Sequence, residues 1–327
     1  MEALVALARV DMAAVDALII DRMQSPVPVI PLLAEHIIAA GGKRLRPLLT
    51  IAAARAATAA FADVDLANPV KLAASVEFIH TATLLHDDVV DGSERRRGKV
   101  AAHLIWGSAT SVLVGDFLFA RAFELMVETG QLRALGILAQ ASSVIAQGEV
   151  LQLTRAHDLN LDQETYLRII SAKTAELFAA AAEAGAVGIG ADEKTTSAVR
   201  SFGLNLGLAF QLADDALDYG GSSEALGKNT GDDFRERKLT LPVIKAVQRA
   251  TPAERAFWQR VIEKGDQRDG DLEEAIAILA RHGAVEAARA ESLRWAGQAK
   301  RALDNLPVHP LRAMLFELVD FVIDRVL

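Results

Sequence analysis

Apolar residues recur at helical spacing along nearly the whole chain. Leu72, Val76, Ile79 and Thr83 follow one another at steps of three and four, a single stripe on a helix of 3.6 residues per turn. Asn68-Pro69 opens that stripe, a capping residue with proline at the first helical position, and Gly92 closes it. The pattern predicts this helix over 69–91. It predicts others at about 31–59, 107–128, 131–157, 162–190, 192–219, 236–250, 252–265, 270–283, 284–304 and 309–326. Gly41-Gly42 and Gly220-Gly221 are the clearest breaks. No alternating stretch of strand length and no Gly/Ser-rich or Pro-rich linker interrupts the series, so the expectation is an all-α fold in one domain, residues 1–327.

Half of the 327 residues are hydrophobic, enough for a sizeable core, and the few aromatics and 9 prolines favour helices over strands. The absence of cysteine excludes disulfides, thiolate metal sites and a Cys nucleophile, and suits a cytoplasmic location. A formal net charge of -8 argues against a nucleic-acid partner. There is no basic segment leading into an apolar one at the start of the chain, where Asp11, Asp16 and Asp21 interrupt the apolar run. No stretch of about 18 uncharged apolar residues occurs, so neither a signal peptide nor a transmembrane helix is expected. Leu177 to Ala191 comes close, but Glu183 breaks it, and it reads as a buried helix of a large core.

Two acidic clusters change the picture. Asp87-Asp88-Val-Val-Asp91 and Asp214-Asp215-Ala-Leu-Asp218 each sit at the C-terminal end of a long apolar helix. Positions i and i+4 lie one above the other, so Asp87 and Asp91 present two carboxylates on one face, with Asp88 about 100° round the helix. Like charges so placed repel each other and oppose the helix dipole. A single such cluster is often a solvated acidic end. Two, each embedded in apolar helix, point to a binding partner, and hard divalent cations with oxygen ligands are the natural one. Three basic clusters accompany them: Lys43, Arg44 and Arg46 after the Gly41-Gly42 turn; Arg95, Arg96, Arg97 and Lys99 after the first acidic cluster; Lys228 and Lys238 after the second. Each alone is commonly a solvated surface. Together with two carboxylate clusters they describe a site that handles more than one diphosphate, because arginine and lysine are the residues that grip phosphate.

The stretches GGKRLRP (41–47), EFIHTATLLHDDVVD (77–91), RRGK (96–99), SVLVGDFLFARAF (111–123), QGEVLQL (147–153), KTAELF (173–178), FQLADDALDY (210–219) and GKNTGDDFRERKLTLP (227–242) resemble the trans-isoprenyl diphosphate synthases, and within them the long-chain members, in the order that family requires. The resemblance implies an isoprenoid-synthase fold, an all-α bundle of about ten or more helices around a central cavity. It implies about three Mg²⁺ per active site, with Mn²⁺ able to substitute. Asp87 and Asp91, supported by Asp88, would hold two of them on the allylic diphosphate, and Asp214 the third, with Asp215 and Asp218 around it. Arg96, Lys173 and Lys228 would contact the allylic diphosphate, and Lys238 would help close the site. Lys43, Arg46, His80 and Arg97 would hold isopentenyl diphosphate. Thr174 and Gln211 would steady positive charge on the reacting chain. The resemblance also implies a homodimer, with farnesyl diphosphate a fitting primer and a peripheral membrane contact a possible route of product release. The spacer Gly92-Ser93-Glu94-Arg95 and the C-terminus, which lacks a basic tail, depart from the family pattern.

Product length has its own residues. Thr83 and Ala82 lie four and five positions before Asp87, one turn below it, where shorter-chain members of the family place an aromatic. Small residues there imply an open tunnel, with Met126 and Leu138 as its floor and a product of about C40 to C50. Other readings stay open at this level: a shorter-chain synthase, a class I terpene cyclase, a non-catalytic partner subunit, or a structural helical protein. A cyclase would need no second diphosphate subsite, and partner subunits lose at least one of the Asp clusters.

Overall fold

Helices carry almost all of the chain that the computed structural model describes, namely residues 1–38, 44–58, 64–96, 98–220, 231–306 and 310–324. In order they are α1 (Glu2–Arg22), α2 (Val29–Ile38), α3 (Leu45–Ala56), α4 (Ala67–Val90), α5 (Ala102–Trp106), α6 (Ser108–Glu128), α7 (Leu132–Thr154), α8 (Gln163–Ile170), α9 (Glu176–Gly188) and α10 (Glu193–Gly220). Shorter helices follow at Asp232–Arg235, Leu241–Arg249, Pro252–Trp258 and Asp271–Arg281, then longer ones at Ala284–Leu303 and Pro310–Ile323. The segment read as one helix over 31–59 is two, α2 and α3, and Arg44 enters α3 from the left-handed region at φ 47°. The helix placed at 236–250 starts only at Leu241, where Thr240 is extended and Pro242 fixes the first turn. Two five-residue π-helical turns, Ser171–Ala175 and Gln259–Glu263, lie within runs that read as plain helix.

The chain forms two compact units, each assembled from three stretches. The first comprises Met1–Ser142, Leu177–Gly203 and Leu303–Leu315. Its centre is α4, which packs against α1, α3 and α6 and buries Leu72, Val76, Phe78, Ile79, Ala82 and Leu85. Helix α1 was not expected, because its aspartates looked like interruptions. Asp11 instead lies on the buried stripe of Leu4, Ala8, Val15 and Ile19 and takes two hydrogen bonds from Arg55 of α3, at 2.9 and 2.8 Å, and Asp21 is exposed. The Ala/Gly-rich run is buried from Leu177 to Gly188, apart from Glu183, which meets Arg200 at 2.8 Å. Small residues are needed there. A Cβ at Gly185 would lie 2.1 Å from the Thr50 carbonyl oxygen, and one at Gly203 2.4 Å from that of Phe178. The backbones touch, so even alanine at these two positions would force helices apart. The one sheet among the described residues is a two-stranded hairpin, β1 (Arg95–Arg96) with β2 (Lys99–Val100), which Gly98 turns at φ 79°.

The second unit comprises Ser143–Glu176, Leu204–Ala302 and Phe316–Leu327. Helix Pro252–Trp258 opens with a full capping box, Thr251 with Glu254, and ends on the fully buried Trp258. Arg260 grips Asp271 through both guanidinium arms at 2.8 and 2.7 Å. Ser292 ties its helix to α10 by donating to the Ala209 carbonyl at 2.8 Å. By length and composition alone, α7 is apolar enough to cross a membrane, with mean hydropathy 1.3 over its best window, of which 28% is buried.

Candidate active site

In the first unit, α4 carries the first acidic cluster to its end. Asp91 caps the helix, and its N–H reaches the Asp87 carbonyl at 2.7 Å, so helical geometry persists through the motif and both carboxylates share a face. Asp88 points the other way. It is 2% exposed and accepts both the Nε (2.9 Å) and an Nη of Arg96, which the hairpin brings back over the helix end. Burial opposes the Arg96 charge, and the hydrogen bond to Asp88 together with the charges of Asp88, Asp87 and Asp91 more than offsets it, so the guanidinium is held above its ordinary value. One helix away, Arg46 and His80 meet at 3.1 Å, and the Arg46 guanidinium lies 4.5 Å above the centre of the Phe178 ring. Arginine can only donate, so His80 Nε2 is the acceptor. Two residues assigned to one diphosphate are thus adjacent, braced by an aromatic face. Ala82, Met126 and Leu138 are buried, and the Thr83 hydroxyl donates to the His80 carbonyl at 2.8 Å.

In the second unit, Lys173 and Thr174 sit inside the π-helical turn that follows α8. Such turns insert one residue and redirect side chains, and they concentrate at functional sites. Helix α7 approaches it at Gly148, where a Cβ would lie 2.7 Å from that of Ala172. Glu149 then reaches Lys173 at 2.8 Å. The Thr174 hydroxyl donates to the amide oxygen of Gln211 at 3.0 Å, and the Gln211 amide N–H donates to Asp215 at 3.0 Å. The Tyr166 hydroxyl donates to the other oxygen of Asp215. Asp218 uses its two oxygens on the backbone N–H groups of Asp232 and Asp233, at 3.2 and 3.1 Å, capping the short helix there. Lys238 pairs with Glu236.

The donor set suits divalent cations. Burial pushes the Asp215 carboxyl up to about 7, against the hydrogen bonds from Tyr166 and Gln211, and the Asp214 charge adds to the rise. Asp233 is driven well above its ordinary value by burial and by Asp218, Asp215 and Asp214, with Lys238 opposing. A hard cation would supply counter-charge to carboxylates that repel one another in this way. Among the described residues no three His, Asp or Glu side chains converge on one point.

The polyprenyl synthetase family profile matches residues 27–279. The chain belongs to the polyprenyl synthetase family. It is 42% identical over 315 residues to the octaprenyl diphosphate synthase of Escherichia coli, covering 96% of each chain. A polyprenyl synthase from Caulobacter crescentus, solved with calcium and isoprenyl diphosphate, is 62% identical with a TM-score of 0.93, over 99% of this chain and 97% of that one. A decaprenyl diphosphate synthase from Rhodobacter capsulatus is 57% identical with a TM-score of 0.94, over 100% and 99%. Membership makes the chain a prenyltransferase of all-α fold and agrees with the resemblance read from its motifs. Of the residues that the family pattern singled out, Lys43, Arg97 and Lys228 lie outside the described residues. The structure adds Tyr166, Glu149, Phe178 and Asp233. The first has no motif around it. The other three stand inside stretches quoted for the family, where each passed for helix filler or a surface charge.

Proposed function

We propose that the chain is a long-chain all-trans polyprenyl diphosphate synthase, extending an allylic diphosphate head to tail with isopentenyl diphosphate to about C40 to C50, the size of a quinone side chain. The observation that carries this reading is the pair of intact i,i+4 carboxylate sets, one in each unit, together with the Arg46–His80 pair of the first unit. Near-full-length identity to proteins named octaprenyl and decaprenyl diphosphate synthases supports the long product. So do the small Ala82 and Thr83 below Asp87.

Asp87, Asp91 and Asp214 would hold Mg²⁺, which when bound neutralises the diphosphate and stabilises it as a leaving group. Arg96 and Lys173 bind the same diphosphate. Lys173 exchanges Glu149 for phosphate oxygens as substrate arrives, Lys228 contacts the same diphosphate, and Lys238 helps close the site. Arg46, His80, Lys43 and Arg97 hold isopentenyl diphosphate, whose alkene attacks the allylic carbon as its bond to oxygen breaks. Thr174 and Gln211 turn oxygen lone pairs toward the cation, and a proton then leaves the new chain for the departing diphosphate. Closure keeps water from the cation.

A homodimer is part of the proposal. Leu113, Ala120 and Val127 on α6 are exposed seven residues apart. On α7 Leu132, Gly136, Ser143, Ala146, Val150 and Leu153 are exposed at spacings of three, four and seven, the repeat of a helix seam that a second copy would cover. The reading includes a cytoplasmic location, which the lack of cysteine supports. The test is incubation with isopentenyl and farnesyl diphosphates and Mg²⁺, with mass spectrometry of the dephosphorylated products. Linear C40 to C50 alcohols support the proposal. Cyclic hydrocarbon would make the chain a cyclase, and no product would make it a partner subunit.

A further inference from the structure

Tyr166 lies near the start of α8, 5% exposed, with its hydroxyl against the buried Asp215. The phenol has one proton to give, and here it goes to Asp215. The Gln211 amide turns its N–H toward Asp215 Oδ1, at 3.0 Å. Its carbonyl oxygen therefore faces Thr174, whose hydroxyl donates to it at 3.0 Å. The donations run in one direction, from Tyr166 to Asp215 and from Thr174 through Gln211 to the same carboxylate. They leave lone pairs, and no protons, on the outer sides of the Thr174 hydroxyl and the Gln211 carbonyl. A reversed amide would present N–H groups instead, with a dipole of the wrong sign for a neighbouring cation.

We propose that Tyr166 is a positioning residue for the prenyl-transfer reaction, acting through Asp215 to fix the orientation of the Gln211 amide and so the polarity that Thr174 and Gln211 present to the allylic cation. The inference rests on the proposed synthase activity. Tyr166 touches no substrate in this scheme. Its oxygen orders a chain of buried polar groups, the setting in which loss of one member propagates to the rest. With the phenol oxygen removed, Asp215 keeps its shape but loses a donor, and the Gln211 amide loses the constraint on its direction.

The test is Tyr166→Phe in the full-length protein, assayed with farnesyl and isopentenyl diphosphates and Mg²⁺. The expected result is a kcat lower by about 10- to 100-fold, with KM for both substrates within about twofold. A substitution that only loosens the fold would not produce the second signature, a double-mutant cycle with Gln211→Leu. In the Gln211→Leu background, Tyr166→Phe should cost less than about twofold, because the amide it orients is gone. Full kcat in Tyr166→Phe, or a defect that multiplies unchanged onto Gln211→Leu, overturns the proposal. If Tyr166→Phe does not give folded protein by circular dichroism, 3-fluorotyrosine at position 166 keeps the shape and alters only the hydroxyl. A kcat change that vanishes with Gln211→Leu supports the proposal, and no change overturns it. Wild-type protein in the same assay separates the two ideas: no linear product there removes the synthase reading, whereas normal elongation with an unaffected Tyr166→Phe removes only the role of Tyr166.

Discussion

The middle carboxylate of Asp87–Asp91 and that of Asp214–Asp218 are equally buried, at 2% exposure each, yet they meet different company. Asp88 faces the Arg96 guanidinium, and Asp215 faces a phenol and an amide. The outer carboxylates differ too. Asp91 stands exposed at a helix end, whereas Asp218 spends both oxygens on the N-terminus of the next helix. One spelling thus builds two devices. In the first, an internal ion pair settles the central charge and ties a cationic hairpin to the acidic helix. In the second, neutral donors orient the central carboxylate without cancelling its charge, and burial pushes it up to about 7. The second cluster is the one whose electrostatics most demand an added cation.

The largest effects should come from the outer residues, where the two clusters are alike. Asp87→Ala and Asp214→Ala should each lower turnover by at least about 10²-fold at saturating Mg²⁺ with the helical circular dichroism intact. More than a tenth of wild-type activity in either would remove that cluster from the metal assignment.

A second contrast lies one turn earlier. Thr83 precedes Asp87 by four residues, and Phe210 precedes Asp214. If the chain grows beneath the first cluster, Ala82→Phe should shorten the product to about C15 to C20 while Mg²⁺ dependence is unchanged, because a buried aromatic blocks a path that several methylenes would otherwise fill. Unchanged product length by mass spectrometry would place the tunnel elsewhere.

Smaller effects sharpen the difference between the middle residues. Asp88→Asn leaves Arg96 without its counter-ion and should lose on the order of 1 to 3 kcal/mol in urea denaturation, the lower end because Arg96 is 32% exposed. Asp215→Asn should cost less in metal-free protein. The Asp215 carboxyl ionises at about 7 when folded and near its ordinary value when unfolded, so between those values the unfolded chain binds fewer protons. Metal-free wild type should therefore lose stability as pH rises from about 4 to about 7, and Asp215→Asn should flatten that slope. Equal losses in the two variants, or an unaltered slope, would show that the environments do not differ in the way described.

The sequence made the helices and both clusters legible because each rests on local spacing. The 3.6-residue period marked α4, α6, α7 and α10 to within a few residues, and the i,i+4 rule put Asp87 with Asp91 before any fold was known. What stayed hidden depends on distant partners. The aspartates of α1 read as interruptions until Arg55 and Arg44 arrived from another helix. The π-helical turn at Lys173 has no compositional mark, since one extra residue in a helix leaves the residue types unchanged. Tyr166 has no motif around it, because its partner lies 49 positions away. The hairpin over Arg95 to Val100 is two residues per strand, too short for alternation to register.

The most direct measurement is a crystal structure of the protein with Mg²⁺ and a non-hydrolysable allylic diphosphate analogue. The account predicts Mg²⁺ at about 2.1 Å from oxygens of Asp87, Asp91 and Asp214, with Asp88 still on Arg96 and Asp215 still between Tyr166 and Gln211. Direct coordination of Mg²⁺ by Asp88 or Asp215, or a diphosphate bound away from either outer pair, would contradict it.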